Sequence, residues 1–333
     1  MTVTYEDVVG AAGRISGHVL RTPVLEISPG LFLKLELLQH SGSFKVRGAF
    51  NRILSAGPVP GSGVIAASGG NHGLAVAYAA RTLGVRAEIF VPEVTSPVKV
   101  AGLKALGAVI NQTGAIYSEA AEAASKRAAE TGALEVHAYD QPEVIAGQGT
   151  TGLELARQVT GLDTVLVAVG GGGFVAGITL GAGSGSGPNP GSDSGSGSGA
   201  GTGAAAGGGS GVGPRIVAVE PELIPTLHEA LKAGGPVPVE VGGVAADALG
   251  ATRIGRTAYD ICSRAGVESL LVPDGAIVAA RRTLWERHRL VAEHAGATAY
   301  AALLSGAYVP APGERVAVVV CGSNTDPATL TAE

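Results

Sequence analysis

The chain has 333 residues, more than one hydrophobic core usually serves, so two lobes are expected. Hydrophobic residues make up 46%, charged residues 15%, and the net charge is -5, which provides ample core and excludes the basic footprint of a nucleic-acid or anionic-membrane binder. The first residues, Met1 to Asp7, carry acids where a secretory signal carries a basic and then an apolar run, and no later segment reaches roughly 18 uninterrupted apolar residues, so a cytoplasmic, membrane-free protein is expected. Cys262 and Cys321 lie far apart and suggest neither a disulfide framework nor a zinc site.

Along the chain, short apolar runs alternate with helical patterns. Strands are predicted over 31–35, 63–67, 87–91, 108–111, 164–169, 215–219, 269–272 and 315–320, and helices over 72–83, 97–106, 117–131, 142–159, 274–289 and 296–304. Near-continuous apolar strands separated by amphipathic helices predict parallel-rich sheets covered on both faces, an α/β fold. Ligands in such folds sit beyond the carboxyl ends of strands. Residues 181–213 break the pattern, with 15 Gly and 7 Ser among 33 positions and a single charge, Asp193. A segment with so little to bury predicts a disordered insertion, inert rather than a lid.

Three loops and one strand end carry chemistry-bearing residues. Ser41-Gly42-Ser43-Phe44-Lys45-Val46-Arg47-Gly48-Ala49 sets one lysine among small residues before a helix. Burial there would lower its pKa toward the neutral amine that Schiff-base chemistry needs, whereas a surface lysine on a first helical turn is the plainer reading. Ser68-Gly69-Gly70-Asn71-His72-Gly73 opens a helix after a strand, and its unshielded amides suit a carboxylate, or simply form a glycine-rich turn capped by Asn71. His72 is a weak candidate base, because a helix N-terminus disfavours imidazolium.

Gly170-Gly171-Gly172-Gly173 follows the run Val165 to Val169 and opens another helix, so several amides can converge on one phosphate. Gly171, Gly173 and Ala176 also satisfy a dinucleotide pattern, but about 20 residues on, where the ribose acid is needed, the chain is inside the Gly/Ser tract, so a monophosphate cradle fits better. Cys321 ends the last strand and reads either as a core cysteine or as a contact to a cofactor ring. An activatable lysine, a phosphate cradle, a carboxylate loop and a polar ring contact together suit pyridoxal 5'-phosphate.

The sequence resembles the fold-type II pyridoxal-phosphate enzymes of the serine/threonine dehydratase and serine racemase family, which share the architecture of the tryptophan synthase β chain. The resemblance spans nearly everything outside the Gly/Ser tract and rests on G-S-F-K-x-R-G-A at 42–49, S-G-G-N-H-G at 68–73, V-I-A-G-Q-G-T at 144–150 and G-G-G-G at 170–173. It implies a large cofactor-binding domain of residues 1–51 and 140–333, holding the 181–213 insertion, and a small mobile domain of residues 52–139. It implies that Lys45 forms the Schiff base and takes the Cα proton, that Phe44 packs beside the ring, and that Asn71 bonds its 3'-hydroxyl. Gly170, Gly171, Gly172 and Gly173 would hold the phosphate; Ser68, Gly69, Asn71 and His72 the substrate carboxylate; and Cys321 would face the pyridine nitrogen as a neutral partner that favours β-elimination.

Three departures shape the expected activity. Racemases of the family carry a serine where Gly69 stands, so racemisation should be poor, and 137–142 is closer to the dehydratase branch. The family's divalent-metal site would use Glu220, but Thr226 replaces the second acid, so an activating divalent or monovalent cation is doubtful. The chain stops without a regulatory domain, so feedback inhibition is not expected. The expected protein is an L-threonine/L-serine ammonia-lyase, a small-molecule enzyme and a homodimer by family habit. Alternatives are a serine racemase, a 3-hydroxyaspartate dehydratase, a threonine synthase-like enzyme, a non-catalytic amino-acid or cofactor sensor, and an NAD oxidoreductase.

Overall fold

The computed structural model describes residues 2–183 and 213–330, so positions 184–212 of the expected insertion lie outside the described residues. Its strands are β1 (Val24–Ser28), β2 (Leu31–Lys34), β3 (Val64–Ala67), β4 (Ala87–Val91), β5 (Val109–Gln112), β6 (Leu134–Glu135), β7 (Thr164–Ala168), β8 (Arg215–Pro221), β9 (Glu268–Val272) and β10 (Val316–Val319). Its helices are α1 (Tyr5–Arg14), α2 (Lys45–Ser55), α3 (Asn71–Thr82), α4 (Pro97–Ala105), α5 (Tyr117–Thr131), α6 (Pro142–Gln158), α7 (Gly173–Ala182), α8 (Thr226–Ala233), α9 (Ala246–Leu249), α10 (Arg256–Arg264), α11 (Asp274–His288) and α12 (His294–Ser305).

Two sheets organise the chain. The larger has strand order β1-β2-β10-β7-β8-β9 and the smaller β5-β4-β3-β6. Every pairing is parallel except that of β1 with β2. The eight predicted strands are all present with ends shifted by at most two residues, while β1 and β6 were not foreseen. Among the described residues no helix is long and apolar enough to cross a membrane.

Helix α2 packs with the smaller sheet: Val46, Ala49, Phe50 and Ile53 are buried in one core cluster with Val64, Val76 and Ile89. Its opposite side meets α6, where a Cβ on Gly147 would come within 2.7 Å of the Arg47 carbonyl oxygen. On the far side of α6 a Cβ on Gly181 would lie 2.1 Å from the Gly149 carbonyl oxygen, so α6 and α7 cross at backbone contact. The glycines of the 144–150 motif are therefore packing residues that let three helices approach where side chains would hold them apart.

A buried ionic cluster anchors the start of α2. The Arg47 guanidinium reaches Glu36 and Glu154 at 2.8 Å each, and the Lys34 ammonium reaches Glu154 at 2.8 Å. Lys34, Glu36 and Arg47 side chains are fully buried. Two cations and two anions balance, and Thr150, Gln158 and the Thr22 carbonyl fill remaining hydrogen-bond positions. Removing one partner leaves the others uncompensated, so Arg47→Met is expected to lower the unfolding free energy by about 3–5 kcal/mol in chemical denaturation followed by circular dichroism.

Candidate active site

The turn before Lys45 is set by two left-handed residues, Ser41 (φ 60°) and Gly42 (φ 76°). A Cβ on Gly42 would fall 2.5 Å from Asn324 Oδ1, so glycine is required for space as well as for conformation. Ser43 bridges to Gly322, and the Phe44 N–H donates to the Cys321 carbonyl at 3.2 Å. These contacts dock the loop on the carboxyl end of β10 and release α2 with Lys45 as its first residue.

Lys45 opens into a small cavity whose wall includes Phe44, Asn71, Tyr139, Gly170 to Gly173, Glu293 and Cys321. A wider cleft joins it at Lys45, Asn71 and Tyr139 and is lined by Ser68, Gly69, Gly70 and His72. The structure thus gathers the candidate cofactor- and substrate-binding residues other than Glu220 around one amine. The Lys45 ammonium donates to the Ala138 carbonyl at 2.7 Å, and burial above all lowers its pKa to about 8. Phe44 stacks on Phe174 with centroids 3.7 Å apart, at the edge of the same cavity.

The glycine loop stands at the N-terminus of α7, where helical N–H groups lack intrahelical partners. Gly172 is left-handed (φ 86°) and serves as the N-cap, and a Cβ on Gly171 would meet the Tyr139 ring at 2.3 Å. Tyr139 is itself held in place, because His137 Nδ1 accepts the Tyr139 and Asp140 N–H groups, and Asp140 accepts the N–H groups of Arg256 and Thr257. Thr226 Oγ1 donates to the Gly170 carbonyl at 2.5 Å. A rigid loop of bare amides at a helix N-terminus, facing a lysine of lowered pKa, fits a phosphorylated aldehyde.

The remaining sequence candidates divide. His72 Nε2 meets the Val136 carbonyl at 2.8 Å, and burial, reinforced by Lys45, lowers the imidazole pKa to about 3. It is therefore neutral, and its side chain ties the loop down instead of acting as a base. Ser68 Oγ accepts the Gly70 N–H. Burial pushes the Cys321 thiol pKa up, so it lines the cavity as a neutral group, 3.5 Å from the Ala295 carbonyl.

Glu220 lies elsewhere. It is the last but one residue of β8, the strand after α7, where a ribose-binding or metal-binding acid would belong, but its carboxyl oxygens accept the Leu227 and His228 N–H groups and the Ser269 hydroxyl. The carboxylate caps α8 inside the protein. Among the described residues no group of three or more His, Cys, Asp or Glu could hold a metal ion, so the metal reading of Glu220 gains no support.

Three wall and neighbour residues were not singled out by motif. Tyr139 covers Gly171, Glu293 accepts the Asn71 side-chain N–H at 2.6 Å, and Asn324 donates to Asn71 Oδ1 at 2.6 Å. Burial raises the Glu293 pKa to about 7. The only local signal was its position: an isolated acid immediately before the apolar helix α12.

A lysine facing a glycine cradle across one cavity defines a site for a phosphorylated aldehyde cofactor. The family model described as pyridoxal-phosphate dependent enzyme matches residues 15–322, and the chain belongs to that family. It is 33% identical to an L-threonine ammonia-lyase of Thermotoga maritima, covering 97% of this chain and 76% of that protein. It is likewise 33% identical to a phenylserine dehydratase of Ralstonia pickettii, covering 99% and 96%. The solved structure of maize serine racemase superposes with a TM-score of 0.84 at 28% identity, covering 99% of this chain and 96% of that one, which places the fold among the fold-type II enzymes.

The lowered Lys45 pKa has a kinetic consequence. Cofactor-free protein should bind pyridoxal phosphate, followed by its visible band, at a rate that climbs with pH up to about 8 and then levels as the amine becomes neutral. An ordinary lysine would keep accelerating toward pH 10.

Proposed function

We propose that the protein is a pyridoxal-phosphate-dependent ammonia-lyase that converts L-threonine, L-serine or both to the 2-oxo acid and ammonia by α,β-elimination. The observation that carries this reading is the placement of Lys45 where the glycine cradle and the 68–73 loop meet. In this reading Gly170 to Gly173 hold the phosphate, Phe44 flanks the ring, and Asn71 and Cys321 contact its oxygen and nitrogen. Ser68, Gly69, Asn71 and His72 offer the substrate carboxylate a helix N-terminus.

The bound cofactor withdraws electrons from the substrate Cα. Lys45 Nζ takes the Cα proton, the β-hydroxyl departs with its bonding electrons, and water hydrolyses the resulting enamine to the 2-oxo acid and ammonium. The enzymes to which the chain is similar support this chemistry. Lys45→Ala should abolish the cofactor's visible band and lower 2-oxo acid formation by at least about 10²–10⁴-fold in a coupled assay, since it removes both the covalent anchor and the base.

Racemisation needs a proton donor on the face opposite Lys45, and the space where a residue-69 side chain would start is taken. A Cβ on Gly69 would lie 2.9 Å from Thr95 Cγ2. Gly69→Ser alone is therefore expected to cost dehydratase activity without bringing serine racemisation up to the elimination rate, as read by chiral chromatography beside the keto-acid assay.

A second reading concerns the side chain of the substrate. The cleft next to Lys45 is lined by Val94, Ile116 and Tyr117, which are 80%, 58% and 48% exposed. Large apolar residues gathered at the mouth of a ligand cleft mark a ligand contact more than scattered surface residues do. The cleft's other lysine, Lys99, is paired with Asp247, which leaves it a poor receptor for a β-carboxylate. This favours β-hydroxy amino acids with an apolar β-substituent, as the name of the Ralstonia pickettii relative suggests. Ile116→Ala should then lower kcat/KM for phenylserine by about 10-fold while leaving that for serine nearly unchanged.

A further inference from the structure

The Asn71 side chain has a fixed orientation, and residues outside all four sequence motifs impose it. Asn324 Nδ2 donates to the backbone carbonyl of Ser41 at 2.8 Å and to Asn71 Oδ1 at 2.6 Å. A backbone carbonyl cannot exchange acceptor for donor, so it keeps the nitrogen of Asn324 on this side. The atom of Asn71 that faces Asn324 must then be oxygen. Its nitrogen faces the other way, where Glu293 Oε1 accepts one N–H at 2.6 Å. One N–H of Asn71 remains for the cavity that it lines with Lys45.

The far end of this chain is equally constrained. Glu293 is 7% exposed, its N–H donates to the Gly322 carbonyl, and a Cβ on Gly322 would fall 1.9 Å from Glu293 Oε1. The carboxyl therefore lies against the backbone that follows Cys321. The Ser41 carbonyl at the other end belongs to the left-handed turn that delivers Lys45. The chain Ser41, Asn324, Asn71, Glu293 thus links the turn before Lys45, the end of β10 and the start of α3.

We propose that Asn324 and Glu293 are positioning residues that clamp the Asn71 amide with its N–H turned to the cofactor, so that it donates to the ring hydroxyl oxygen and holds that oxygen in its anionic form. This rests on the reading of Asn71 as the residue that contacts that oxygen. A donor stabilises the anion, whereas an amide turned over would present a carbonyl and favour the protonated, neutral oxygen. The two forms differ in colour, the anionic one absorbing in the visible and the neutral one in the near ultraviolet.

The test is the absorption spectrum of cofactor-loaded variants at neutral pH, with cofactor content measured separately after alkaline release. Asn324→Asp replaces the donor by an acceptor and should turn the Asn71 amide over, lowering the ratio of visible to near-ultraviolet absorbance by about tenfold, the equilibrium effect of one hydrogen bond to a charged oxygen. Glu293→Met, which removes the acceptor at the other end, should shift the ratio in the same direction. Glu293→Gln, whose amide oxygen still accepts, should keep the wild-type shape. If Asn324→Asp fails to hold cofactor, Glu293→Met and Glu293→Gln decide the matter alone.

Fully loaded Asn324→Asp and Glu293→Met proteins with wild-type spectra would overturn the clamp. Asn71→Ala separates the two readings: a shifted Asn71→Ala spectrum beside unchanged clamp variants removes the clamp but keeps the Asn71 contact, and an unshifted one removes both.

Discussion

The site depends on a half-buried lysine that has no counter-ion. Lys45 Nζ has a backbone carbonyl as its hydrogen-bond partner and no carboxylate in salt-bridge range, whereas Arg47, two residues on, is bound by two carboxylates. The desolvation of Lys45 is uncompensated by charge, and that is why its pKa falls. An uncompensated amine is destabilising, so the helix that carries it must be held by something else. The ionic cluster of Lys34, Glu36, Arg47 and Glu154 supplies that hold from the opposite side of α2.

Glycine supplies the second constraint. The Gly170–Gly173 loop stands just past the end of β7, and α7, which it opens, meets α6 backbone to backbone at Gly149 and Gly181. Within the cradle, Gly171 lies against the Tyr139 ring and Gly173 against the Tyr139 carbonyl, where a Cβ would be 2.3 Å away in each case. Tyr139 belongs to the loop whose Ala138 carbonyl accepts from Lys45. The loop after β6 therefore sets the distance between amine and cradle, and the two halves of the site cannot drift independently.

The parts legible in the sequence were those with a local signature. The inner strands β7 and β8 are buried along nearly their whole length and read as apolar runs. The edge strand β1 has only half-buried and exposed residues without alternation, and β6 has two residues, so neither produced a pattern. Helix α1 did carry a capping signal, with Thr4 and Asp7 bonding reciprocally, but its ten residues follow no strand to mark them. Lys45 and the four glycines, which line one cavity, stood out in the sequence because the roles expected of them depend on residue type. Glu293, Tyr139 and Asn324 were not, because each acts through a partner at least 30 residues away in sequence, and nothing in the flanking residues announces it.

Glu220 shows how a residue can sit at the right topological place and still be turned to another use. The Gly/Ser tract moved it far from the glycine loop in sequence, yet in the sheet β8 lies directly beside β7. An acid at the end of that strand could face a ligand only if its oxygens were free. Here Leu227, His228 and Ser269 occupy them, and the adjacent Thr226 spends its single hydroxyl proton on the Gly170 carbonyl, the shorter of its two contacts. The carboxylate thus orders the N-terminus of α8, α8 presents Thr226, and Thr226 holds the first glycine of the cradle. In this chain a threonine hydroxyl braces the cradle at the position where the family resemblance implied that a second metal-binding acid had been replaced.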